Sequence, residues 1–535
     1  MCEIIEPTSE TFYLRLTAAA GIVAGTGQPL QPVWGRWQGP KLRAGDCLRY
    51  IIVRDGFRQG QARVTERIPK NLLIGAAALI PVGLAYVAYT RPYYFTNQNC
   101  LAGILLEVLI AAVWMYRQVF FPVMLMAFLL AGVDLPVGSA GWSAARWLFL
   151  AVGAGIGSLI VLKDRRYPFG LFHALAYLAV LTALISAFAS RFSDVAVLKA
   201  LSLFLLFVYG STGARIAATG RESRFISGLL TGIEIFVGVN AAFYAVGIEA
   251  MGNPNSLGAV MGFIAAPILL WGALVGGSPA VRRRRWVLYG ICMFMAFMSH
   301  ARAGLAAAFI SCGLLSLALR RYRLIIEALV VMLILVAAVA LFRPEKLSSW
   351  ASSVVYKNGG QEQGILASRE DPWNTALDNI RNHLWFGTGI GTTASGEDAE
   401  QQHAKFLSTM TTTAENGSSY LAIMAGVGLL GVPPFLFLLL LLVNKVFRTV
   451  TWMLKTRSPF HPAIPLAMVV IAGIVHASFE DWMFAPGNYL CVFFWSLAFV
   501  FADVAPSRSV AGVVPAWPSP AIALPARQAA SSSAS

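Results

Sequence analysis

The chain has 535 residues, of which 57% are hydrophobic and only 13% charged, and its mean hydropathy is +0.66. A soluble domain averages about 45–50% apolar and 25% charged, so composition excludes an ordinary soluble enzyme and points to an integral membrane protein. The net charge of +15, from 41 Lys+Arg against 26 Asp+Glu, is what basic loops on one side of a membrane produce; it implies no nucleic acid.

Residues 1–70 are polar and basic, with Arg36, Lys41, Arg43, Arg49, Arg54, Arg58, Arg63, Arg67 and Lys70. They read as a cytoplasmic extension able to rest on anionic lipid, with a short strand predicted around Leu48–Val53. No cleavable signal peptide is expected; the first apolar span serves as the insertion signal. The 6 cysteines are scattered, without a Cys-x-x-Cys pair, and read as small core hydrophobes.

Residues 71–503 form a polytopic all-α membrane domain. A spanning helix needs roughly 17–25 apolar residues. Runs of that kind lie near 71–89, 98–115, 119–134, 145–162, 169–190, 195–213, 225–248, 257–276, 286–300, 302–319, 324–342, 418–443, 464–478 and 485–503. About 14 transmembrane helices are expected, with 12–14 as the range. The basic connections Lys163–Arg166, Arg215–Arg224, Arg282–Arg285, Arg320–Arg323 and Lys445–Arg457 then fall on one side. By the positive-inside rule that side is the cytoplasm, and both termini lie there. The long polar segment 343–420 falls on the other side, as a large periplasmic loop. Residues 504–535, rich in Ala, Ser and Pro, read as a disordered cytoplasmic tail.

The loop 343–420 is the one long polar stretch among the apolar runs. It contains a predicted amphipathic helix, with Asp371 as cap, Pro372 at its first position and Gly387 at its end. Trp373, Ala376, Leu377, Ile380 and Leu384 fall on one face. Such a helix suits the lid or floor of a site; alternatively it rests on lipid headgroups.

Charges at the edge of membrane spans are costly and need a reason. Arg302, in Ser-His-Ala-Arg-Ala-Gly, is either a fixed charge for an anionic ligand or an arginine snorkelling to the interface. Arg369 precedes the loop helix and either meets an anion at its N-terminus or pairs with Glu370 or Asp371. Arg381 and Asp378 are spaced to pair on the wet face. Gly387-Thr-Gly-Ile-Gly391 follows no strand, so a helix stop and a tight turn back to the membrane explain it better than a dinucleotide loop. Glu415-Asn416, at the mouth of the next span, could supply a general base or bind a sugar hydroxyl; alternatively Glu415 is a helix-start acid. Glu480-Asp481, after His476, is a second such pair. No Ser-His-Asp order, His-Glu-x-x-His or Asp-rich cluster is present, so any chemistry should be metal-independent, without cofactors, and rest on arginines and carboxylates.

Four stretches together resemble the O-antigen ligase and Wzy-type polysaccharide polymerase superfamily. Gly252-Asn-Pro-Asn255 looks like the family's Asn-Pro-Asn element. Ala301-Arg-Ala-Gly304 looks like its Ser-Arg-Gly element, with Ala301 where serine is common. Arg369…Trp373…Ala376…Ile380…Leu384…Phe386-Gly-x-Gly-x-Gly391 looks like its long-loop signature. Glu415-Asn416…Tyr420-Leu421…Gly426-x-Gly-Leu-Leu-Gly431 looks like the element leading out of that loop. The likeness covers roughly 160–500.

The resemblance implies a glycosyltransferase at the outer face of the bacterial inner membrane. Its donor is an undecaprenyl-diphosphate-linked oligosaccharide. Arg302 and Arg369 match the family's essential arginines, Glu415 stands where the ligases have a base histidine, and Glu480 is the second candidate base. Arg381, His383, Asn416 and Asn255 complete the expected substrate-binding set. The carboxylate at 415 and the segment His476–Asn488 favour a polymerase building exopolysaccharide or O-antigen. A ligase acting on lipid A core or protein is the nearest alternative, and a transporter or flippase the alternative from another class. The expected partners are membrane lipid and other polysaccharide-assembly proteins, such as a chain-length regulator and a flippase.

Overall fold

The computed structural model describes residues 2–5, 13–16, 90, 139–164, 167, 169–247, 251, 254–342, 367–392 and 417–506. The runs near 71–89, 98–115 and 119–134, the strand at Leu48–Val53, most of the loop with Glu415 and Asn416, and nearly all of the tail lie outside these residues.

The chain divides into two compact units, Met1–Leu101 and Ala102–Ser535. The first carries an antiparallel pair, β1 (Cys2–Ile5) and β2 (Tyr13–Leu16). Its register sets Glu3 opposite Arg15 and Ile4 opposite Leu14. The described residues of the second unit are helical, as the all-α expectation has it, and this short hairpin is confined to the first.

The second unit holds α1 (Ser139–Lys163), α2 (Leu171–Ala189), α3 (Ser193–Ala218), α4 (Glu222–Ala245), α5 (Asn255–Val275) and α6 (Pro279–Met298). It continues with α7 (Arg302–Ala318), α8 (Tyr322–Phe342), α9 (Ala367–Asn382), α10 (Ser419–Thr456), α11 (Ala463–Ala477) and α12 (Tyr489–Val504). Each apolar run predicted from 145 onward coincides with one of these helices. Among the described residues, α2, α3, α4, α5 and α10 are long and apolar enough to cross a membrane.

The centre is set by composition. The most apolar stretch of α5 is 89% buried, against 44% in α2 and α10. Residues from Leu490 to Ala502 of α12 are all buried. α5 and α12 are apolar all round and belong inside; α2 and α10 keep a leucine- and phenylalanine-rich outer face, as helices against lipid do.

Three sequence expectations are corrected. The loop helix starts at Ala367, a turn before Asp371, so Pro372 sits inside it; the first-turn acid is Glu370, which suits a helix N-terminus. Its inward face is also narrower than predicted. Ala376, Asn379 and Ile380 are buried, while Leu377 and Leu384 are 39% and 42% exposed. The span expected at 418–443 runs on to Thr456 and breaks at Gly428 (φ 66, ψ 178).

That break is where the glycine turn docks. Thr388 N donates to Ala425 O and Gly389 N to Gly426 O, both at 2.9 Å; Leu429 N donates to Leu384 O at 2.7 Å. Ser186 of α2 donates to Phe386 O and Gly426 O at 2.5 and 2.7 Å. Gly387 and Gly428 both have positive φ, and a Cβ on Gly428 would lie 2.5 Å from Gly387 N. Only glycine allows both the dihedral and the approach. The turn supplies bonding groups at the kink of α10, where the ladder is interrupted.

Candidate active site

Four separate stretches meet at one end of the bundle. Arg302 opens α7, and its depth is fixed by backbone contact. A Cβ on Gly304 would strike the carbonyl of Gly258 in α5, and one on Gly262 would strike the carbonyl of Gly304. Small residues let helix backbones meet this closely, so the Ala301–Gly304 element seats Arg302 against the start of α5. Half-buried Asn255 begins α5. Beside it the Tyr489 hydroxyl donates to Ser256 O at 3.5 Å.

Arg369, in the first turn of α9, donates to the Glu480 carboxylate and forms an ion pair with it. The side chains are 17% and 29% exposed, so the pair is accessible but partly screened from water. Arg302 lies close enough to Arg369 for the two positive charges to repel. Glu480 sits on the turn after α11, and one hydroxyl holds that turn. Ser419 Oγ donates to Glu480 O at 2.7 Å and accepts from Trp482 N and Met483 N, each at 3.0 Å. Below it, buried His476 accepts from Trp482 Nε1 at its Nδ1, at 2.7 Å, and feels the charge of Arg369. The Tyr420 hydroxyl donates to Ile474 O at 2.8 Å. The start of α10 and the end of α11 are thereby tied beneath the ion pair.

Of the sequence-predicted set, the structure brings Arg302, Arg369 and Glu480 together. Arg381 does not join them. It lies about 18 Å along α9 from Arg369, 75% exposed, and pairs with Asp378 at 3.2 Å. His383 is exposed as well. Glu415 and Asn416 lie outside the described residues, but Gly417 and Ser418 next to them are buried. Gly417 packs against Trp373 and Pro372 of α9.

Three residues were missed by sequence reasoning. Ser419 was visible only as part of a polar run, since its role depends on a turn 61 residues away. His300, two residues before Arg302, has φ 53, and its buried Nδ1 has no hydrogen-bond partner among the described residues. Lys199 of α3 donates to Gly391 O at 2.6 Å and interacts with Asp481. It borders a cleft of about 50 Å³ between the glycine turn, α10 and the 481–487 turn, room for a few waters. This cleft adjoins Glu480 through Asp481 and does not reach the arginines.

Two guanidinium groups and one carboxylate at a helix-bundle end have a definite chemical capacity. The arginines can grip a multiply charged phosphate with charge-assisted bonds and stabilise charge developing on it, and the carboxylate can take a proton. No curated protein matches the chain. Residues 287–436, which include Arg302, Arg369, Arg381, His383, Glu415 and Asn416, match the family model described as O-Antigen ligase (Wzy_C), and this part of the chain is on that ground similar to the O-antigen ligase and Wzy-type polymerase superfamily.

Proposed function

We propose that the protein is a glycosyltransferase that polymerises undecaprenyl-diphosphate-linked oligosaccharide repeat units at the outer face of the bacterial inner membrane. The supporting observation is the convergence of Arg302, Arg369 and Glu480 from three elements far apart in sequence. In the reaction an acceptor hydroxyl attacks the anomeric carbon of the donor. The new C–O bond forms as the bond to the diphosphate breaks, the hydroxyl proton passes to a carboxylate, and the diphosphate leaves with the electron pair.

Charge accounting assigns the roles. Without substrate, Arg369 is neutralised by Glu480. A diphosphate is the stronger anion and competes for Arg369 alongside Arg302, which releases the Glu480 carboxylate beside the acceptor. Glu480 then serves as base, or as partner to Glu415 if that residue takes the proton. Arginine does here what a divalent cation does elsewhere, so EDTA should leave the rate unchanged. Asn255, Asn416, Arg381 and His383 are assigned to sugar and headgroup contacts. A ligase is the second reading, favoured by the description of the matching family model.

The test is an assay of the purified full chain with a lipid-diphosphate oligosaccharide, wild type against Arg302→Ala and Glu480→Gln. A ladder of lengthening lipid-linked glycans, lost in both variants, is expected. One transfer to a separate acceptor would replace polymerase by ligase. Lipid movement across vesicles without transfer would leave the transporter.

A further inference from the structure

The opposite end of α7 carries a second charged assembly. It lies about 25 Å from Arg302 along a 17-residue helix. There the chain turns into α8 through Leu319–Arg321. Arg321 N donates to Ser316 O at 2.8 Å and Arg320 N to Leu317 O at 3.0 Å, the two bonds of a Schellman ending. The left-handed position of that motif is ordinarily glycine. Here it is Arg320, at φ 55, where a side chain is strained.

Arg320, Arg321 and Arg323 line an open pocket of about 490 Å³ together with Arg282 of α6. Trp286 and Tyr322 also face it, and Glu327 is the one carboxylate on its wall. The neighbouring Arg284 and Arg285 are committed to Glu234. Among the described residues no ion pair engages the four pocket arginines. A topological bias asks only for basic residues in this connection. It asks neither for a concavity lined by four of them with two aromatic rings, nor for an arginine where glycine would relieve strain. Strained positions held by their surroundings gather at ligand sites.

We propose that this pocket binds a phosphate-bearing anion, supplied either by an anionic phospholipid headgroup or by a soluble diphosphate. Guanidinium groups suit phosphate oxygens, the aromatic pair suits the interface where a headgroup lies, and basic pockets between membrane helices hold such headgroups. The site is separate from the arginine–carboxylate site and does not depend on its chemistry.

The full chain in neutral phosphatidylcholine nanodiscs is titrated with phosphatidylglycerol in one arm and inorganic pyrophosphate in the other. Bound anion is counted by native mass spectrometry. Saturable binding in either arm supports the pocket, and the arm that responds names the source. Arg321→Gln should weaken it roughly tenfold. Arg320→Gly separates fold from ligand: its melting temperature should equal or exceed that of wild type while binding falls. Binding that is unchanged in both variants, or absent from both arms, would overturn the proposal.

Discussion

The two ends of the helix bundle use the same residues differently. At the end away from Arg302, Arg215 pairs with Asp503, and the arginine side chain is only 3% exposed. Lys445 donates to Ala502 O at 2.6 Å beside it, and Phe169 and Tyr167 cover the guanidinium. Glu234, 7% exposed, is gripped by Arg284 and by Arg285, the latter at 2.7 Å. These carboxylates sit on helices, and in each assembly one member is buried: Arg215 in the first, Glu234 in the second. At the other end Glu480 lies on a turn, its partner Arg369 comes from a helix held outside the bundle centre, and a second arginine stands by without enclosing them. Burial of one partner makes an ion pair a structural joint; a pair open to water on both sides, with a second arginine nearby, is available to an anion.

That contrast predicts opposite outcomes for equivalent mutations. Arg369→Ala should lower transferase activity by about 10²–10³ yet shift unfolding by no more than about 1 kcal/mol, as for an accessible pair. Arg215→Leu should do the reverse. It takes a buried arginine away from Asp503, whose side chain is 26% exposed, a loss of about 1–3 kcal/mol, and whatever folds should retain its turnover number. Denaturation in mild detergent and the transfer assay, run on both variants, read the two effects. A stability loss of several kcal/mol in Arg369→Ala would make the site end a joint as well.

Next in size is the α5–α7 contact. Gly262→Ala forces a methyl group onto the carbonyl of Gly304, an overpacking expected to cost about 1–3 kcal/mol. Because Gly304 seats Arg302, activity should fall further than stability. An equal change in Gly272→Ala, whose nearest neighbour is the Leu230 side chain, would show that the helix crossing is not what places Arg302.

The helices were legible in the sequence because apolar runs bounded by basic loops carry both length and position. Arg302 and Arg369 were legible as charges without an apolar reason. Their meeting was not, since it depends on the return of α9 to the turn after α11, and no local pattern encodes a contact 111 residues long. The glycine turn follows the end of α9 at Asn382, five residues before the expected stop at Gly387. Its docking into the broken ladder of α10 was hidden, because the break at Gly428 sits within an otherwise uniform apolar run. The helix start at Ala367 was misplaced because Pro372, which suits a first position, is tolerated one turn further in. The loop face was overestimated because periodicity places Leu377 beside Ala376 and Ile380 without saying where the partner helix ends.

The smallest effect tests the outer limit of the site. Arg381 and Asp378 form an i, i+3 pair, 75% and 66% exposed, on the same helix that delivers Arg369. Pairs of this type contribute about 0.2–0.5 kcal/mol, so Arg381→Ala should leave the unfolding midpoint nearly unchanged. If Arg381 contacts a sugar or headgroup when the donor binds, KM for the lipid-linked substrate should rise while kcat holds, because an interaction equal in ground and transition states affects binding alone. A fall in kcat at constant KM would instead bring α9, along its whole length, onto the reacting diphosphate. No change in either would confine the site to the first turn of α9, where Arg369 meets Glu480.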